Sequence, residues 1–206
     1  MQRTVSIKIN APKEFLTYLE VCAAIFNRYV DWCFDNKTYN KNKAHKELYS
    51  IFRKDYPNVP SAIIQSLRDS ALENVKALKF KFKPTKKPTS HVRYDKRTIS
   101  LKKDNLSISW SGSRLKQQIK LPKFFTDRYV DWKFQAATIG YDKFKKCFKA
   151  HLIFESNTPS SKLPNKSIGV DRGLYNIVSL SDGFRYASNQ IRKNKRECLF
   201  LKKQLQ

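Results

Sequence analysis

The stretch Ser167-Ile168-Gly169-Val170-Asp171-Arg172-Gly173-Leu174-Tyr175-Asn176-Ile177-Val178-Ser179-Leu180-Ser181-Asp182-Gly183-Phe184 holds three of the chain's five glycines. It reads as an apolar strand, a tight Gly-containing turn, a second strand, an Asp-Gly turn and a third strand. Asp171 follows Ile168-Gly169-Val170 directly. That order puts a carboxylate on or beside a buried strand, where an unpaired charge is costly. A bound divalent cation would remove the cost, and oxygen ligands of this kind suit Mg2+. An Asp that caps a turn is the other reading of the same pattern.

N-terminal to this run, Asn157-Thr158-Pro159-Ser160-Ser161 is rich in turn formers and marks a domain boundary. Before it, the pattern is mixed. Val5, Ile7 and Ile9 alternate with polar residues, as in a half-buried strand. Phe15, Leu19, Cys22, Phe26, Val30 and Cys33 recur at helical spacing. A second helix carries Ala44, Leu48, Ile51 and Phe52 and stops at Tyr56-Pro57. A third starts near Pro60, presents Ile64, Leu67, Ala71, Val75, Leu78 and Phe82 on one side, and ends at Pro84. Three such helices should pack as a small bundle. Short strands follow at Thr98–Leu101, Leu106–Trp110 and Gln118–Leu121, then a longer antiparallel pair at Ala136–Tyr141 and Phe148–Glu155.

The fold class expected is α+β. A small β-barrel or sandwich, the barrel being the first choice (residues 1–10 and 90–156), receives an inserted helical lobe (11–89), and a linker (157–164) leads to a further domain (165–206).

Charge narrows the function. The 206 residues hold 42 Lys and Arg against 17 Asp and Glu, a formal net charge of +25. Self-repulsion at that charge opposes compaction, and a polyanionic partner is the usual reason for carrying it. Aromatic residues at 13% exclude a disordered basic tail. No apolar run approaches the ~20 residues a membrane helix needs. As the polyanionic partner, nucleic acid comes first and an anionic membrane surface second, and no membrane partner is expected. The charge concentrates in residues 76–103, which hold eleven Lys and Arg against Asp95 alone. Lys79, Lys81, Lys83, Lys86, Lys87, Arg93, Lys96, Arg97, Lys102 and Lys103 are candidate phosphate contacts, with Phe80, Phe82 and Tyr94 interleaved. A solvated helix end followed by a linker is the alternative for this segment. Tyr94 and Trp110 are either base-stacking platforms or core aromatics. Cys22, Cys33, Cys147 and Cys198 form no C-x-x-C pair, so no zinc site within the chain and a reducing cytoplasmic setting are expected.

The run Gly169-Val170-Asp171-Arg172-Gly173-Leu174-Tyr175-Asn176, with Leu180-Ser181-Asp182-Gly183 after it, resembles the first RuvC motif of the TnpB (OrfB) proteins. These are transposon-encoded proteins related to the type V CRISPR effectors. Residues 61–82, Ile119-Lys120-Leu121-Pro122, and Gln190-Ile191-Arg192-Lys193-Asn194-Lys195-Arg196 resemble, in the same order, that family's late recognition helix, a barrel strand and the basic helix after the first RuvC strands.

The resemblance implies an RNA-guided DNA endonuclease whose barrel and helices hold guide RNA and read double-stranded DNA. An RNase H-like RuvC domain then cuts with Mg2+. It makes Asp171 the first metal-binding carboxylate and adds Arg192, Lys193, Lys195 and Arg196 to the nucleic-acid contacts. The family's later Glu, Asp and four-Cys ribbon have no counterpart before Gln206. The expectation is therefore a form truncated after the first RuvC motif, binding nucleic acid without cleaving alone, with a separately supplied C-terminal half as one way to complete it. A non-catalytic, transposon-derived nucleic-acid-binding or regulatory protein is the alternative.

Overall fold

The computed structural model describes residues 1–129, 131–157, 168–173 and 176–205. The chain forms two compact units, Met1–Thr158 and Pro159–Gln206.

The first unit opens with β1 (Gln2–Ile9), in which Val5 and Ile9 point inward. Helix α1 (Glu14–Asp35) buries all six residues of the expected stripe. Tyr18, Ile25, Tyr29 and Trp32 are buried as well, because neighbours cover more than one side of this helix. Helix α2 (Lys41–Asp55) starts at Asn40, whose side chain accepts hydrogen bonds from the amides of Asn42 and Lys43. That satisfies two donors the first turn would leave unpaired. Of its expected stripe only Ala44 and Phe52 are fully buried.

Helix α3 (Ser61–Leu78) follows Pro60 and ends four residues earlier than its apolar spacing suggests. Lys79 and Phe80 both take left-handed backbone angles, φ 47° and 57°. The turn swings Phe80 onto Phe34 and Tyr39, at ring separations of 5.4 and 6.0 Å. It also leaves Phe82 71% exposed.

The strands follow: β2 (Val92–Tyr94), β3 (Ile99–Lys102), β4 (Asn105–Trp110) and β5 (Ser113–Gln118). Then come the short helix α4 (Lys123–Arg128), β6 (Lys133–Asp142) and β7 (Cys147–Glu155). One antiparallel sheet has the order β1-β7-β6-β2, and another the order β3-β4-β5. Among the described residues these are open sheets, so the expected closed barrel does not form. The short strand β2 ends one sheet, and β3–β5 pair among themselves rather than bridging its edges.

The expected strand at Gln118–Leu121 is displaced. The strand here is Ser113–Gln118, joined to β4 through Ser111 and Gly112, with φ 41° and 74° as a tight two-residue hairpin turn requires. Ile119 is instead buried in the connection to α4, its amide donating to the carbonyl of Asp104 at 2.8 Å. One hydrophobic cluster joins α1, α2 and α3 to the inner sheet faces through Val5, Phe15, Phe26, Ile64, Tyr94, Ile139 and Leu152.

The second unit contains β8 (Val170–Asp171), β9 (Asn176–Leu180), β10 (Arg185–Ala187) and helix α5 (Asn189–Gln204). The strands form an antiparallel sheet in the order β10-β9-β8. Three strands are therefore present, with the second and third joined by a turn as read from sequence, while residues 174 and 175 of the first expected turn lie outside the described residues. Gly183, at φ 94°, lets the Ser181–Gly183 turn close, with the Leu180 amide donating to the Phe184 carbonyl at 2.8 Å.

Candidate nucleic-acid interface

The basic run of residues 79–103 follows α3 and continues past β3, and the fold sorts its ten candidate cations into three groups. Lys86 is turned inward. Asn27 on α1 clamps its backbone on both sides, accepting from the amide at 2.8 Å and donating to the carbonyl at 3.0 Å. Its ammonium donates to the carbonyl of His91 at 2.6 Å and lies 4.8 Å from the centre of the Phe26 ring. Burial lowers the pKa of this lysine. It braces the loop more than it offers charge to a ligand.

Lys83, Arg93 and Arg97 are exposed but paired. Lys83 reaches Asp31 at 2.7 Å, Arg93 reaches Glu73 at 3.2 Å, and Arg97 reaches Asp95 at 2.6 Å and Gln65 at 3.0 Å. Lys79, Lys81, Lys87, Lys96, Lys102 and Lys103 are exposed and have no acidic partner among the described residues. These six are the charges free to neutralise phosphate.

The aromatic residues are sorted in the same way. Tyr94 is fully buried, and Trp110 packs on Phe15 at 5.5 Å and Tyr18 at 6.3 Å, which makes it the rim of the core. Phe82 is the ring of the basic run that stands open to solvent. The sequence reading missed Arg114 on β5. Its guanidinium donates to the hydroxyls of Ser107 and Ser109, each at 2.8 Å, and so lies across β4. The Ser111-Gly112 turn between two runs was the signal for this strand, but Ser113–Gln118 has one apolar residue and no visible alternation.

In the second unit, Asp171 pairs in register with Ser179 across β8 and β9. It is exposed rather than buried, and so are Val170 and Phe184, at 60% and 67%. The expected burial therefore fails on both sides of β8, whose two residues point to opposite faces and are both exposed among the described residues. Asp182 is the turn-capping carboxylate, accepting from the Phe184 amide at 3.2 Å. No group of three or more His, Cys, Asp or Glu side chains able to hold a metal occurs among the described residues.

On α5, Arg192, Lys193 and Arg196 line a shallow hollow of about 330 Å3 with Asn189 and Glu197, and Lys195 is exposed. Arg192 donates to the side chain of Asn189 at 2.6 Å. No helix among the described residues is long and apolar enough to cross a membrane.

No protein-family model matches the sequence, and no curated protein matches it. Among solved structures, the fold is similar to a chain in the cryo-EM structure of a CRISPR-Cas12f ternary complex, with a TM-score of 0.53 and 12% sequence identity. The similarity covers 94% of this chain and 52% of that one, so this chain spans about half the length of the chain it matches. At that identity the likeness is one of fold.

Proposed function

We propose that this chain is a nucleic-acid-binding protein of the TnpB-like, RNA-guided kind, with guide RNA and double-stranded target DNA as partners. The observation that carries the reading is electrostatic. A net charge of +25 leaves six lysines between residues 79 and 103 exposed and unpaired among the described residues. Such charges bind the phosphate backbone by releasing its counterions. The likeness to a Cas12f chain and the Asp171-centred run both support this direction.

Within this reading, Asp171 is the first metal-binding carboxylate of a RuvC-type centre, and Mg2+ would supply charge stabilisation for phosphodiester hydrolysis. No catalytic step is assigned to this chain, because the described residues gather no further acids for the ion.

The test is to measure bound RNA on the purified chain, then cleavage of double-stranded DNA with Mg2+. Co-purified RNA without cleavage is expected. Mg2+-dependent cutting lost in Asp171→Ala would overturn the non-cutting expectation, and absence of any RNA affinity would overturn the proposal.

A further inference from the structure

The outer face of the β1-β7-β6-β2 sheet carries a constellation that the basic run does not include. Ser6 on β1 is the cross-strand partner of His151 on β7, which is in turn the partner of Thr138 on β6. The Ser6 hydroxyl lies 2.6 Å from His151 Nδ1. His91, just before β2, reaches over the sheet so that its Nε2 lies 3.1 Å from the Nε2 of His151. Gly140 makes this possible. A Cβ there would fall 2.8 Å from the His91 ring, so only a glycine lets the imidazole lie on the sheet.

Two imidazoles that meet nitrogen to nitrogen hold one proton between them, and at least one of the rings is neutral. Doubly protonated, they would point two N–H groups at each other. The surroundings select what could separate them. Lys149 on β7 and Lys8 on β1 are cross-strand partners, with Lys149 two residues from His151. Lys86 is bonded to the His91 carbonyl, and Arg93 on β2 is the partner of Thr138. Of the acids on this face, Asp142 is bonded to Lys149 at 2.6 Å and to the amides of Phe144 and Lys145, and Glu155 lies at the far end of β7, opposite Gln2. Arg93 is shared with Glu73 of α3. A cation would meet this field unfavourably and would lack a third ligand among the described residues. An anion satisfies both rings at once.

We propose that this face binds one phosphate group of a nucleic-acid backbone between the imidazoles of His91 and His151. Binding there takes up about one proton near neutral pH, because the negative charge of the phosphate stabilises the imidazolium form of one ring. Ser6 orients the His151 ring, and Gly140 admits the His91 ring. The inference rests on the nucleic-acid reading and adds a second, proton-coupled contact to the lysines of residues 79–103.

The test uses the whole chain, with the side-chain nitrogen resonances of the histidines followed by NMR. His45, which stacks on Tyr49 and contacts Arg68, serves as an internal reference. Inorganic phosphate and a short RNA oligonucleotide are titrated separately. Both should move His91 and His151 toward the protonated form and leave His45 in place. RNA affinity should rise about tenfold per pH unit on going from about pH 8 to 6, as uptake of one proton requires. The double variant His91→Asn/His151→Asn should still bind RNA but lose that dependence. Gly140→Ala, which keeps both imidazoles, should weaken the phosphate response. Imidazole signals that ignore both ligands would overturn the site. So would an unchanged pH dependence in the double variant, with the nucleic-acid reading left standing. A response to inorganic phosphate with no RNA binding would overturn the backbone source and the functional reading together.

Discussion

Burial decides the chemistry of the cysteines. It pushes the thiol of Cys22 up to about 12 and that of Cys33 up to about 11, and Cys147 is buried as well. Cys198 on α5 is exposed. Only the thiolate attacks an alkylating reagent, so native protein at pH 7.5 should show one rapidly reacting thiol, and denatured protein four. Rapid reaction of Cys22 in native buffer would contradict the packing of α1. His91 makes the matching prediction for pH. Burial lowers its pKa, with His151, Lys86 and Lys149 adding to the effect, so the unfolded chain binds more protons than the folded one below the ordinary histidine range. Stability should therefore fall as pH drops through about 6.5, and His91→Asn should flatten that fall in urea titrations. The burial of Cys22 and Cys33 was legible, because both lie on the apolar stripe of α1, and the behaviour of His91 was not. His91 and His151 meet only because β1-β7-β6-β2 is the strand order, although an isolated glycine inside a strand, Gly140, was a visible sign of close approach. The reverse holds for Asp171, whose motif is plain in the residues while its exposure depends on what covers the sheet.

The helices were the most legible elements, because apolar residues at every third or fourth position leave little choice about which side is buried. Their ends were less so. The end of α3 depends on Lys79 and Phe80 adopting left-handed angles, which no glycine announces. Relieving that strain at Lys79 by Lys79→Gly should stabilise the unit by about 1 kcal/mol, read as a higher urea midpoint with unchanged slope. A lower midpoint would mean that the lysine stem contributes packing. The barrel expectation failed at the same scale. Alternation identifies strands but does not say which edges pair, and β3-β4-β5 remain a sheet of their own. The sorting of the basic run gives a sharper prediction. Replacing Lys79, Lys81, Lys87 and Lys96 together by Gln should lower the salt slope of RNA binding by about 3, at about 0.7 per lost contact. Replacing Lys83 and Arg93 should change it much less, because each already has a carboxylate partner. Equal effects per residue would show that those ion pairs open on binding.

At the level of the whole chain, the balance of charge was readable from composition, and its distribution was not. The fold places half-buried, paired and free cations side by side, and six of the ten candidates in the basic run remain open to a polyanion. Helices and strands share one hydrophobic cluster, so the loop carrying Lys79–Lys87 is fixed at both ends by core elements. Truncating that core should be costly. Phe52→Ala, at a fully buried site between Tyr29 and Tyr56, should lose about 3–5 kcal/mol in denaturant titration. The central claim is that this surface exists to hold nucleic acid, and the salt dependence of binding tests it most directly. Affinity for a structured RNA, plotted as the logarithm of the binding constant against the logarithm of salt concentration, should fall with a slope of about −4 to −5, as six phosphate contacts require. A slope near zero, or no binding at low salt, would contradict the account.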